Sequence, residues 1–422
     1  MEENFKSLEK FNFWNGNVPE LGFIRTDYTN KILNYTNNKL VKVLVGQRRV
    51  GKSYILRQIA SRLIDNGINP KNIFYVNKEF TEFDFLTDYT DLENLLSLYR
   101  KKLSPQDKIW LFIDEIQNIN GWERFVNSHS QDFVDSCEIF ISGSNSKMLS
   151  GELATLLSGR YVQFQILPFS FKEYIGITGK ESTKQTYIDY MECGGLPELF
   201  ILPNDETKRN YVASIKDTIL LRDIIQRHNI KDPNLLETLF VYLVNNASNM
   251  TSINNIVNYM KSVGRNTTYD TVSNYIGYIE DTFLIHKAER YDIRGKEIIS
   301  GNCKYYINDL SFKNYLYQGY GYGIGYKLEN LVYLALIQAE YNVFVGMTRN
   351  KEVDFVAKRG DRLIYLQSAY LLSDEQTFNR EFDPLFTIPD NYEKFVVSLD
   401  DITLPSQNGI KHIQAWKLGE IL

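Results

Sequence analysis

Along the first 175 residues, short apolar runs alternate with stretches whose apolar positions recur every three to four residues. Residues 40–45, 73–76, 109–113, 137–142 and 161–166 are compact apolar runs of the kind that form buried strands. Ile55, Ile59 and Leu63 recur at helical spacing directly after the first run. This alternation predicts a parallel sheet covered by helices on both faces. From 176 to 245 the strand signal fades. Residues 211–221 and 235–240 carry helical periodicity, which predicts a helical lid. From 246 to 312 the pattern changes again. Ile253, Ile256, Val257 and Met260 form one helical stripe, and Ser262-Val263-Gly264 breaks it. Val272, Ile276, Ile279 and Phe283 form the next, with Thr267-Thr268 as N-caps. Two β-like stretches follow at 284–288 and 304–307. Helix, turn, helix and β-wing predict a winged helix. Residues 313–422 read as a separate α/β unit. It has an amphipathic helix over 328–341 and strands over 351–357 and 362–369, joined at a turn, Arg359-Gly360-Asp361. The alternation Gly319-Tyr320-Gly321-Tyr322-Gly323-Ile324-Gly325-Tyr326 reads as a flexible joint or as an aromatic surface that a partner buries.

Chemistry enters at the end of the first strand. Gly46-Gln47-Arg48-Arg49-Val50-Gly51-Lys52-Ser53 fits G-x-x-x-x-G-K-[ST], the phosphate-binding loop of nucleoside triphosphatases. Strand, glycine loop and helix is the context this motif needs. Backbone N–H groups curl around a phosphate, and the helix N-terminus adds favourable partial charge. Lys52 would pair with the β- and γ-phosphates, and Ser53 would hold Mg²⁺. The eight loop residues and Tyr54 behind them are the candidate ATP-binding set. The run ending Ile113-Asp114-Glu115 supplies the rest. Asp114 is placed to hold Mg²⁺, and Glu115 to orient a water against the γ-phosphate. Gly143-Ser144-Asn145-Ser146 follows the fourth strand. Asn145 there either senses the γ-phosphate or belongs to a simple turn, since Gly, Ser and Asn dominate turns.

Composition narrows the picture. The chain has 422 residues, 43% apolar and 23% charged, an ordinary globular balance. A net charge of −5 gives the whole chain no pull toward nucleic acid or acidic lipid. Cys137, Cys193 and Cys303 lie far apart, in neither a metal spacing nor a disulfide framework. No run approaches the roughly 18 apolar residues of a spanning helix. The start has no basic segment followed by an apolar one. The expectation is a cytoplasmic protein that does not contact a membrane. Between 250 and 310 seven basic residues are matched by seven acidic ones, whereas a dedicated DNA reader shows a basic excess. The winged helix therefore reads either as a DNA binder through Arg265, Arg294 and Lys296, or as a structural or protein-contact module.

These motifs in combination carry a resemblance. Residues 20–175 resemble the nucleotide domain of AAA-like ATPases of bacteria and archaea that carry a C-terminal domain of unknown function, DUF4143. The Gly-x-Arg-Arg-x-Gly-Lys loop, Ile113-Asp114-Glu115-Ile116-Gln117, Ser158-Gly159-Arg160 and Leu167-Pro168-Phe169-Ser170-Phe171-Lys172-Glu173-Tyr174 all fit, as does Leu221-Arg222-Asp223-Ile224 in the lid. The family is related to the signal-transduction ATPases with numerous domains. In that wider group a Gly-x-Pro element touches the nucleotide. Gly195-Leu196-Pro197 looks like that element, or is an interhelical turn. The resemblance also implies an arginine that completes the site, for which Arg160 and Arg222 are candidates, including across a subunit contact. It further implies a restriction-endonuclease-like fold over 313–422. The active pattern there is an acid on a helix, an Asp opening a strand, then Glu-x-Lys on the next strand. This chain offers Glu329, Asp354 and Gln367-Ser368-Ala369, so the lysine is missing and an amide replaces one acid. The whole implies an ATP-hydrolysing switch or motor, with domains at 1–175, 176–245, 246–312 and 313–422. A homo-oligomer or a protein partner is compatible with it. The alternatives are a DNA-binding adaptor with ATP as a structural ligand, and a nuclease whose lysine has moved to Lys351 or Lys358.

Overall fold

The computed structural model describes residues 2–146, 157, 159–318, 323–348, 351–372 and 375–422. The chain divides into two compact units, Met1–Ile166 and Leu167–Leu422.

The first unit runs α1 (Glu2–Phe11), α2 (Thr26–Leu33), β1 (Val41–Val45), α3 (Lys52–Asp65), β2 (Ile73–Asn77), α4 (Tyr89–Leu103), β3 (Ile109–Asp114), α5 (Trp122–Gln131), β4 (Cys137–Gly143) and β5 (Tyr161–Gln165). The strands form one sheet in the order β2-β3-β4-β1-β5, and every pair is parallel. Every residue of β1, β2 and β3 is buried, which is why these strands read as continuous apolar runs. The strand β4 lies between β1 and β3. The chain leaves β1 toward β2 and returns through β3 and β4 before crossing to β5. Ligands of open α/β sheets gather outside the carboxyl ends of strands at such a reversal.

The second unit opens with helices: α6 (Phe171–Thr178), α7 (Lys184–Cys193), α8 (Asp205–Thr218), a π-helical segment over Ile219–Gln226, and α9 (Pro233–Asn245). Polar caps set their starts. Ser170 and Glu173 form a capping box on α6, Asn204 and Thr207 one on α8, and Asp232 caps α9 with Pro233 at its first position. Then come β6 (Met250–Thr251), α10 (Ile253–Ser262), α11 (Tyr269–Asp281), β7 (Ile285–Asp292) and β8 (Glu297–Ile307). Thr268 caps α11 by accepting from the Thr271 N–H. The chain ends with α12 (Ile324–Gln338), β9 (Asn342–Thr348), β10 (Lys351–Arg359), β11 (Arg362–Ala369), α13 (Glu375–Phe386), β12 (Glu393–Ser398) and β13 (Ile410–Gln414).

Besides elements that the sequence reading did not include, β9, α13, β12 and β13, two features differ from it. The strands of the last hundred residues do not stand apart: β6 to β13 form one eight-stranded sheet in the order β13-β12-β11-β10-β9-β7-β8-β6. The hairpin strand β7 pairs antiparallel with β8 on one side and parallel with β9 on the other, with Tyr291 opposite Gly346. Ile293, in the hairpin turn, is buried in a cluster with Val353, Val356, Tyr365 and Phe382. Gly346 makes room for it, since a Cβ there would come within 3.0 Å of Ile293 Cδ1 and 2.8 Å of Val356 Cγ2. The other difference lies in the glycine–tyrosine stretch. Residues 319–322 fall outside the described residues, but Ile324, Gly325 and Tyr326 already belong to α12. That helix starts before 328 and stops at Gln338, so Tyr341 lies beyond it.

Candidate nucleotide-binding site

The chain leaves β1 at Val45 and must turn sharply to enter α3 at Lys52. Gly46 permits the exit, because a Cβ on it would meet the Ile166 carbonyl oxygen at 2.3 Å. Gly51 closes the loop in a left-handed conformation, φ 94°. No side chain caps α3, so the N–H groups of its first turn remain donors for an anion. The loop is braced from outside: Arg25 Nη1 donates to the Val50 carbonyl at 3.0 Å, and Arg48 pairs with Glu79 at 2.6 Å. The ring of Tyr54 carries the Arg57 guanidinium at 4.2 Å and lies against Gly22. Gln47 and Val50 are buried, and Arg49 is exposed in a left-handed conformation.

Lys52 is buried with its amine turned onto the loop. Nζ donates to the carbonyls of Gly46 at 2.9 Å and Gln47 at 3.0 Å, and lies 3.9 Å from Glu115 Oε1. Burial lowers the pKa of its ammonium, and the nearby charges of Glu115 and Asp114 oppose that. Asp114 ends β3 fully buried. It accepts hydrogen bonds from Asn77 Nδ2 at 3.0 Å, from the Tyr75 hydroxyl at 3.3 Å and from a close Ser142 hydroxyl. Burial raises the pKa of this carboxyl, while hydrogen bonds from Ser142 and Ser53 and the charge of Lys52 hold it down. Glu115 follows in a left-handed conformation, φ 53°, uncommon for a residue with a side chain and typical of functional turns. Its N–H donates to Ser142 Oγ at 3.2 Å, and its carboxylate accepts from Gln117. Burial pushes the Glu115 carboxyl up as well, against the pull of Lys52.

These residues suit a nucleoside triphosphate with Mg²⁺. The glycine loop leaves N–H groups and one ammonium for phosphate oxygens. The Ser53 hydroxyl and the Asp114 carboxylate share one hydrogen bond, and a hard oxygen pair of this kind suits an ion that keeps most of its waters. Asn145 is buried just beyond β4, at the same carboxyl edge of the sheet. Arg160 is not brought to this edge. It is exposed at the start of β5, where its carbonyl accepts from the N–H of Val41 at the opposite end of β1. Pro197 and Arg222 belong to the second unit. Pro197 opens a short 3₁₀ turn, Pro197–Phe200, and the Gly195 N–H before it donates to Asp309 Oδ2 at 2.7 Å. Arg222 is exposed in the π-helical segment. Three residues that orient the acids escaped the sequence reading: Tyr75, Asn77 and Ser142. Their signal was a polar residue ending or interrupting an apolar strand.

In the second unit Glu329, Asp354 and Gln367 do converge. The Asp354 N–H donates to Gln367 Oε1 at 3.1 Å. Lys351 pairs elsewhere, with Asp383 at 3.2 Å, and Lys358 is exposed.

Residues 38–175 match a family model described as an AAA domain. Residues 184–321 match a domain of unknown function, DUF8612, rather than the DUF4143 that the resemblance implied. An uncharacterized protein of Haemophilus influenzae is 35% identical over 378 residues, 89% of this chain and 92% of its own length. Uncharacterized protein MJ1544 of Methanocaldococcus jannaschii is 30% identical over 381 residues, 86% of this chain and 81% of its own. Among solved structures, the Walker-type ATPase PABY2304 of Pyrococcus abyssi overlaps with a TM-score of 0.44 at 13% identity, over 68% of this chain and 94% of that one. Among the described residues no helix is long and apolar enough to cross a membrane.

Proposed function

We propose that this chain, which belongs to one family with the uncharacterized Haemophilus influenzae protein and MJ1544 and carries an AAA-like P-loop domain, is an ATP-hydrolysing switch or motor. The observation that carries the reading is the convergence of Lys52, Ser53, Asp114 and Glu115 at the carboxyl edge of the sheet, with Lys52, Asp114 and Glu115 buried. Bound ATP with Mg²⁺ supplies the phosphoanhydride bond and the counter-charge for its oxygens. The chain supplies position. Lys52 leaves the Gly46 and Gln47 carbonyls for the β- and γ-phosphates, and the loop amides complete the cradle. Ser53 and Asp114 hold the ion, with Asn77 and Ser142 fixing the carboxylate that does so. Glu115 orients the attacking water, and the Ser142 hydroxyl sets the backbone turn that aims it. Asn145 is the sensor of the γ-phosphate, and an arginine in trans completes the site, for which Arg160 is a candidate only across a subunit contact.

The nucleotide state is read out by residues 167–422. The helices up to 245 form the lid. The succession α10, α11, β7, β8 with β6 paired to β8 supports a winged helix over 246–312. A helix, three antiparallel strands, a helix and a parallel strand support a restriction-endonuclease-like scaffold over 313–422, without nuclease activity. The test is phosphate release by the full chain. The wild type should turn over ATP, and Glu115→Gln should bind ATP with little turnover. Equal rates in the two proteins would remove Glu115 from the mechanism, and no release under any condition would leave ATP as a structural ligand.

A further inference from the structure

The acids of the second unit are not short of a lysine; the lysine comes from another part of the fold. Lys304 lies on β8, in the hairpin, and its side chain is only 4% exposed. Its amine is 2.8 Å from Glu329 Oε1 on α12. It is 2.7 Å from Glu352 Oε1 and 3.5 Å from Asp354 Oδ1, both on β10. Glu352 and Asp354 are two apart on β10, where a bulge between Val353 and Val356 interrupts regular alternation, and both carboxylates reach the same amine. An ammonium has three donors, and here three carboxylates stand around it. Further donors reach two of the three acids. The Tyr306 hydroxyl donates to Glu329 Oε1 at 2.8 Å. The Ser368 N–H and hydroxyl donate to Asp354 Oδ2 at 2.8 and 3.0 Å.

We propose that Lys304 is the resident cation of this cluster, its ammonium standing where three converging carboxylates would otherwise collect a divalent ion. The charge requires some cation there. Acids buried without a counter-charge are strongly destabilising. The oxygens stand 2.7 to 3.5 Å from the amine, within the reach of charged N–H donors. Among the described residues no group of three or more His, Cys, Asp or Glu is arranged to hold a metal. Burial raises the pKa of the Glu329 carboxyl, and the Lys304 ammonium beside it pulls it back down. The consequence is mechanical. One side chain ties the hairpin strand to the helix and the strand that carry the acids, and it closes their site to metal chemistry.

Removing the ammonium should convert the clamp into a metal site. Thermal unfolding of the full chain, without nucleotide and with or without Mn²⁺, tests this in three proteins. The wild type should be indifferent to Mn²⁺. Lys304→Met should unfold at lower temperature and regain stability with Mn²⁺. Lys304→Met combined with Glu329→Gln and Asp354→Asn should recover stability without Mn²⁺ and no longer respond to it. That combination keeps the test decisive even if the single variant does not fold. A wild type that binds Mn²⁺, or cuts DNA with it, in a manner lost in Asp354→Asn would overturn the proposal. So would a Lys304→Met protein as stable as the wild type, or a neutralised variant no better than the single one.

Discussion

At the scale of single residues, the phosphate loop is a local device, and local devices are legible in sequence. Gly46, Gly51, Lys52 and Ser53 lie within eight positions, and their spacing alone dictates the turn and the helix start. The residues that hold Asp114 are different. Asn77, Tyr75 and Ser142 come from β2 and β4, which flank β3 only because of the strand order, so no spacing along the chain announces them. The same holds for Lys304, which meets Glu329 and Asp354 across 25 and 50 positions. For the loop itself the expectation is direct. Lys52→Ala removes the loop ammonium proposed to pair with the phosphates, and ATP affinity should fall at least about tenfold, or about 1.4 kcal/mol. Titration with a fluorescent ATP analogue reads this, and unchanged affinity in a folded variant would refute the phosphate-loop assignment. Asp114→Asn should instead abolish the gain in affinity that Mg²⁺ gives.

At the scale of elements, β1 to β4 of the first sheet were legible because they are buried on both faces, and the pattern hides one thing. Lys42 sits inside β1 with no exposed surface and forms a close pair with Glu138 on β4, which also accepts from Lys108 at 2.9 Å. Burial lowers the Lys42 pKa, and the Glu138 hydrogen bond opposes it. Glu138→Gln leaves that amine buried without its counter-charge and should cost about 3–5 kcal/mol. Urea unfolding measures the loss, and Lys42→Met in the same protein should restore much of it. A second element carries a pH signature. Glu280, near the end of α11, has its carboxyl pushed up to about 7 by burial, with Lys287 opposing. The folded protein therefore holds this proton more tightly than the unfolded chain. Its cost is absent below the ordinary glutamate pKa of about 4.3, grows as pH rises, and is complete above about 7. Glu280→Gln should match the wild type in urea midpoint at acid pH and exceed it at pH about 8. A constant difference across that range would mean Glu280 does not titrate as its burial implies.

At the scale of the whole molecule, the order of elements was legible in part: β10 and β11 were read, β9, β12 and β13 were not, and the hairpin strands run further than 284–288 and 304–307. Their joining was hidden as well, because the pairing of β7 with β9 is set by backbone groups that carry no residue signature. Only Gly346, small enough to admit Ile293, leaves a trace of it. This joining bears on DNA. A wing that reaches into a groove should be free on one side, yet β7 is paired on both sides and Ile293 anchors its turn in the core. Arg294 and Lys296 remain exposed at that turn, between Asp292 and an exposed Glu297. On α11 the exposed Tyr269, Asp270 and Asn274 bring no positive charge. With these two cations beside acids and none on the exposed face of α11, duplex contact by this module would rest on a few phosphates. Binding to duplex DNA should accordingly be weak and confined to low salt. If Arg294 and Lys296 each neutralise one phosphate, replacing both with alanine should flatten the slope of log affinity against log salt by about 1.8, near 0.9 for each phosphate no longer neutralised. Fluorescence anisotropy over a salt series measures that slope. Affinity that persists at high salt, or a slope untouched by the double substitution, would exclude the hairpin as the DNA-binding element. No binding even at low salt would leave the helix pair and hairpin as a surface for protein.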